Sequence, residues 1–152
     1  MTINATTPEA IALAQDLLTT ARYAALAVTH PDTGHPYVSR TAMLADGPSA
    51  LMLISTLSIH TKALQADPHC ALLIGEPGDK GDPLTHPRMT FSGKVEPTNK
   101  AAHKDQWLTA IPKAQLYFDF ADFQMYRLTP AVIDLNGGFG KAFQLTLSDL
   151  AS

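Results

Sequence analysis

PYVSRTAMLADGPSALMLISTLSIHTKAL, residues 36–64, decides how this chain folds. Residues 37–44 and 51–56 are short apolar and hydroxyl-bearing runs. Between them Ala45, Asp46, Gly47 and Pro48 form a turn cluster, so the pair predicts a β-hairpin. Ser58, Ile59, His60, Thr61 and Lys62 then open a helix. A helix start presents unpaired backbone N–H groups and the positive end of the helix dipole, and Arg40, Thr61 and Lys62 add donors and positive charge at the same point. These are the parts of a phosphate pocket.

Upstream, Thr7 and Pro8 form an N-cap and first helical position, and Ile11, Ala14, Leu17 and Leu18 recur on one face of an amphipathic helix. Residues 23–29 predict the first strand, and Pro31, Asp32, Thr33 and Gly34 turn the chain into the strand that carries Ser39 and Arg40. Downstream, helix two is expected over 58–66, ended by the Asp67-Pro68 pair because proline disfavours helix in the residue before it. A fourth strand covers 70–74, and residues 76–83 are too rich in Gly, Pro and Asp for regular structure, which predicts a mobile loop. Another strand begins at Arg88. Helix three is placed from near Thr98 through Trp107 and Leu108 to about Ile111, stopped by Pro112. Residues 114–122 fit a short helix or a loop equally, and the last strands are placed over 123–128 and 131–135. Short strands interrupted by three helices predict an α+β barrel rather than a parallel doubly wound sheet.

The chain has 152 residues, 45% of them hydrophobic, which predicts a single domain over 1–152 with one core and no structural metal. A formal charge of -3, from 11 basic and 14 acidic side chains, argues against a nucleic-acid surface. The one cysteine, Cys70, sits in an apolar run and reads as a small core residue, which suits a reducing cytoplasm. No basic and apolar leader and no spanning apolar stretch is visible, so a cytoplasmic location and no membrane partner are expected. The six histidines show neither His-x-His nor His-Glu-x-x-His spacing, and no Gly-x-Ser-x-Gly elbow is present. Neither a protein-built metal site nor a hydrolytic nucleophile is expected.

The order of a strand with Ser39-Arg40, a hairpin, a strand ending Ser55-Thr56, and Thr61-Lys62 on a helix start resembles the FMN-binding split barrels related to pyridoxamine 5′-phosphate oxidase. Residues 88–95 (RMTFSGKV) and 123–130 (FQMYRLTP) look like two further strands of that family. The run Gly137-Gly138-Phe139-Gly140-Lys141-Ala142 is similar to the ending of its haem-utilisation branch, which binds and degrades haem on the same barrel. The resemblance implies a split β-barrel of six or seven strands with flanking helices, a homodimer, and FMN at the interface. Carried over by position, Ser39, Arg40, Thr41 and Ala42 run along the flavin and its ribityl chain. Ser55, Thr56, His60, Thr61 and Lys62 surround the phosphate, and Arg88 meets the flavin edge. The alternative cofactor is haem.

Each of these residues has a plainer reading. Arg40 and Arg88 also fit strand-surface arginines, Lys62 a solvated helix lysine, and His60 a partly exposed helix histidine. Trp107 fits a ring cover across a subunit boundary or simple packing. The glycine run fits close approach to a flat ligand or a sharp reversal anchored by Phe139. Two departures bear on function. The segment with which pyridoxamine phosphate oxidases grip their substrate is replaced here by residues 136–145, and no histidine follows Phe139 to match the iron ligand of the haem-utilisation proteins. The sequence therefore leaves three functions open: an FMN-dependent oxidoreductase of unknown small substrate, a haem-binding or haem-degrading protein, or a non-catalytic flavin binder. No side chain presents itself as a catalytic acid or base, and chemistry would rest with the flavin.

Overall fold

The computed structural model describes residues 2–152. Helix α1 (Pro8–Thr20) starts where the sequence places it: Ala10 N–H donates to Thr7 Oγ1 at 3.1 Å and Pro8 opens the first turn. Its Ala10, Ala14 and Leu18 face bury against the barrel. Strands β1 (Tyr23–Thr29), β2 (Pro36–Asp46), β3 (Ser49–Ser55) and β4 (His69–Ile74) follow, with α2 (Ile59–Ala66) between the last two. After β5 (Arg88–Thr98) come α3 (Lys104–Ala110), β6 (Phe123–Asn136), β7 (Ala142–Leu145) and α4 (Leu147–Ala151).

The sheet order is β3-β2-β1-β4-β5-β6-β7, all neighbours antiparallel, and β3 also pairs with β6. That extra pairing closes six strands into a barrel with flanking helices, the split-barrel arrangement. β6 serves both halves: residues 123–128 pair with β3 and residues 133–136 with β7, while β5 runs beside its whole length. The two strands expected over 123–128 and 131–135 are thus one. Pro130 cannot donate to a ladder, and a bulge absorbs the defect: Ser92 faces Val132 while Gly93 faces Pro130, leaving Ala131 unpaired. Gly93 is required there, since a Cβ would lie 2.1 Å from the Thr129 carbonyl oxygen.

The other departures from expectation lie in irregular segments. β5 continues through Thr98, so helix three begins later, at Lys104 after a short 3-10 turn. Residues 112–116 form another 3-10 turn, because Pro112 starts it and the following aromatics pack on the barrel rather than along a helix face. β7 and α4 carry the tail, where the sequence pattern predicts no element. Its glycines make the reversal between β6 and β7, with Gly138 and Gly140 at φ 124° and 73°, and Phe139 points outward instead of anchoring the turn. In the loop before β5, Gly78 N–H donates to His86 Nδ1 at 2.7 Å, and Nε2 of the same ring bonds the Lys80 carbonyl at 2.6 Å.

Two packed clusters explain the apolar run of β3, which is buried on both faces. Ala50, Met52 and Ile54 enter the barrel with Leu26, Met43, Leu72, Phe91 and Leu128. Leu51 and Leu53 point the other way, into a second cluster with Trp107, Phe118 and Met125 under α3. Trp107 is therefore packing, fully enclosed. Cys70 is buried in the barrel cluster, and burial pushes its thiol up to about 12, where it stays protonated. Among the described residues no helix is long and apolar enough to cross a membrane.

A candidate ligand cleft between β2, β3 and α2

β2 and β3 pair only over one stretch, Met43–Asp46 and Ser49–Met52. Beyond it they diverge: the first half of β2 pairs with β1 alone, and residues 53–55 turn to β6. The start of α2 sits at this opening. The resulting cleft of about 210 Å³ is lined by Arg40, Thr41 and Ala42 from β2, and by Leu53, Ile54 and Ser55 from β3. Ser58 and His60 from the head of α2, with Tyr117 and Phe123, complete the lining. The two aromatic rings lie 4.7 Å apart between centroids. Around the mouth, Leu57, Ile59, Leu116 and Phe120 expose apolar surface, Leu116 at 81% and Leu57 at 76%.

Within the cleft, His60 Nδ1 shares a hydrogen bond with the Ser39 hydroxyl at 3.0 Å. His60 Nε2 is closed off from solvent and has no partner, a condition that buried polar atoms rarely tolerate without reason. Burial lowers the pKa of this imidazole, so it is neutral at physiological pH. Arg40 is exposed, its guanidinium 5.7 Å from the centroid of the Tyr23 ring. Among the described residues the ion pairs are His69–Asp67, Lys104–Asp119 and Arg127–Asp46, so Arg40 and Lys62 keep their charges free.

Ser55 is the junction of the site. Its hydroxyl donates to Asp122 Oδ2 at 2.7 Å and accepts from Leu57 N–H at 3.1 Å. Its carbonyl accepts from the Thr61 hydroxyl at 2.5 Å and from Ser58 N–H at 3.1 Å. Thr56 N–H donates to the Asp122 carbonyl at 2.7 Å, so the end of β3 is tied to the lead-in of β6. Ser58, at the N-cap of α2, makes no side-chain cap bond and keeps its hydroxyl available.

Of the residues singled out in the sequence, Arg40, Thr41, Ala42, Ser55 and His60 meet in the cleft, and Ser39 supports His60 from behind. Thr61 is fully buried with its hydroxyl committed to Ser55. Thr56 is half-buried beside the cleft and Lys62 is exposed on α2. Arg88 stands elsewhere, donating to the Leu84 and His86 carbonyls at 2.8 and 3.3 Å. Sequence reasoning missed Asp122, Ser58, Leu53 and Ile54. The aromatic patch containing Tyr117 and Phe123 was visible, but nothing local connects Asp122 to Ser55.

Residues 12–136 match the family described as pyridoxamine 5′-phosphate oxidase. The chloroplastic heme oxygenase HOZ of Arabidopsis thaliana is 38% identical over 103 residues, 65% of this chain and 30% of that protein. The chain thus spans less than a third of the length of that curated relative. A solved heme binding protein from Mycobacterium smegmatis superposes with a TM-score of 0.87 at 25% identity, over 97% of this chain and 62% of that one. HutZ from Vibrio cholerae, described as a heme storage protein, has the same fold, with a TM-score of 0.63 at 18% identity over 82% of this chain and 93% of its own.

Proposed function

This chain belongs to the pyridoxamine 5′-phosphate oxidase family, and from that premise we propose that it binds haem at the β2–β3–α2 cleft and acts on it as a haem-degrading enzyme. The carrying observation is the chemistry of the cleft: an aromatic wall and an apolar rim, one guanidinium without an ion-pair partner at its edge, and the His60 imidazole in its lining. Haem is a flat apolar ring with carboxylates on one edge, and this is the complementary surface. The relatives named for heme support the same choice.

Tyr117 and Phe123 would pack the ring, Arg40 would pair with a propionate, and His60 is the imidazole at the site, held by Ser39. When bound, haem would supply the iron at which oxygen is activated as well as the macrocycle that is cleaved. His86 is tied into its loop through both ring nitrogens and His103 bonds Gln106 at 3.3 Å, which leaves His60 as the histidine that lines the cleft.

The cleft is smaller than a whole macrocycle, so part of the ring would lie over the rim and need covering. A second copy of the chain is the natural cover. The outer barrel face beside Arg40 offers small and apolar side chains in register across five strands: Val38, Ala27, Ala71, Ser92 and Val132. Val38, Leu73 and Tyr23 are all exposed there, a composition suited to a homodimer.

FMN is the second reading, favoured by the family as a whole and by two groups, the free Ser58 hydroxyl at the N-cap of α2 and the unpaired Lys62. Titration of purified apoprotein with hemin and with FMN separates the two. Saturable hemin binding with a shifted Soret band supports the proposal, and tight FMN binding that hemin does not displace contradicts it. A sedimentation mass of two chains supports the dimer, and a monomer at micromolar concentration argues against it.

A further inference from the structure

We infer that Asp122 is a specificity determinant that closes the cleft to phosphate-bearing ligands. The inference rests on the reading of the β2–β3–α2 cleft as the ligand site and says what that site refuses. A phosphate needs hydrogen-bond donors, and two of the hydroxyls that stand at the expected place are already spent. The Ser55 hydrogen points to Asp122 Oδ2 at 2.7 Å, and the same oxygen accepts from Leu57 N–H at 3.1 Å. The Thr61 hydrogen is committed to the Ser55 carbonyl at 2.5 Å, and Thr61 is fully enclosed.

A dianion approaching Ser55 would therefore meet an oxygen with no hydrogen to give, and a carboxylate one hydrogen bond behind it. Like-charge repulsion from Asp122 then acts against what Ser58, the α2 amides and the exposed Lys62 offer. Lys100 Nζ gives two of its three hydrogens to the Phe120 and Phe123 carbonyls, at 3.1 and 2.7 Å, and forms no ion pair with Asp122. Arg40 lines the β2 wall of the cleft, and Ser55 with its bond to Asp122 lines the β3 wall. A singly charged carboxylate on an apolar ligand can reach Arg40 without passing Asp122. The Asp122–Ser55 pair thus sorts ligands by where they carry their anionic group.

The test compares riboflavin with FMN, which differ only by the phosphate, using flavin fluorescence on the wild type, Asp122→Asn, Asp122→Ala and Asp122→Glu. We expect the wild type to bind FMN no better than riboflavin. The Asn and Ala variants should tighten FMN at least about tenfold and leave riboflavin unchanged, while the Glu variant, which keeps the charge, behaves as the wild type. A wild type that prefers FMN by about tenfold or more overturns the inference. So does an unchanged FMN-to-riboflavin ratio in the Asn and Ala variants, or no detectable FMN binding by either. Equal shifts in Asn and Glu would mark Asp122 as structural only and overturn it too. Hemin titration of the wild type reports on the haem proposal separately: its failure leaves the Asp122 result standing, and the reverse holds.

Discussion

The Ser39 hydroxyl and His60 Nδ1 stand 3.0 Å apart, a hydrogen bond that ties the free half of β2 to the first turn of α2. It spans the place where β2 and β3 part, so it holds the cleft's two walls at a fixed separation. The other ring nitrogen is buried without a hydrogen-bond partner, as is Trp107 Nε1 in the second cluster.

His60 gives the first prediction. Its folded pKa lies below 6.5 because burial disfavours the charged ring. The unfolded chain then binds more protons between the two values, and stability falls as pH drops below 6.5 towards the folded pKa. Above that range the contribution is fully present. Urea titrations at a series of pH values should show this decline in the wild type and its loss in His60→Gln. An identical slope in both would show that the imidazole is not held neutral.

Asp46 and Arg127 behave in the opposite chemical sense. The pair is 2.7 Å long, and the hydrogen bond from Arg127 holds the Asp46 carboxyl below 3.8, ahead of the cost of burying it. Its contribution is present above 3.8 and lost as pH falls through the lowered folded value. Arg127→Met should cost about 2 kcal/mol at neutral pH, because it leaves a partly buried carboxylate without its partner. The difference from the wild type should shrink in acid below that range, and a difference that persists there would contradict the assignment.

Gly93→Ala should be among the most damaging single-methyl changes. The new Cβ would meet the Thr129 carbonyl oxygen at 2.1 Å, and both are backbone-fixed by the bulge that accommodates Pro130. A loss of more than about 2 kcal/mol is expected in chemical denaturation. Gly34→Ala has open space around its Cβ position and suffers only from its φ of 73°, so its loss should be smaller.

The barrel was legible because local signals agree with it: the Thr7-Pro8 helix start, the Gly47-Pro48 turn and the apolar runs of β1 to β4 each predict the element observed. What misled was Pro130, whose missing N–H marks a strand break in sequence but a bulge in a long strand once Gly93 stands opposite. β7 and α4 were missed because four- and five-residue elements leave too little pattern to detect. The site was half legible. Arg40 and His60 could be placed from the β2 strand and the α2 helix start, whereas the Ser55–Asp122 bond joins residues 67 apart in sequence and the enclosure of Thr61 depends on tertiary packing. Arg88 was carried over by its position in the family pattern, and in the structure it donates to carbonyls of its own loop.

The most direct test of the central claim is hemin titration of the wild type beside Arg40→Ala, His60→Ala and Lys113→Ala, followed by absorbance. Lys113 is exposed and is not among the residues that line the cleft. Stoichiometric binding is expected of the wild type and of Lys113→Ala, with a loss of about tenfold or more in Arg40→Ala and a displaced Soret band in His60→Ala. If all four proteins bind hemin with equal affinity and the same spectrum, haem does not sit in this cleft and the account is wrong.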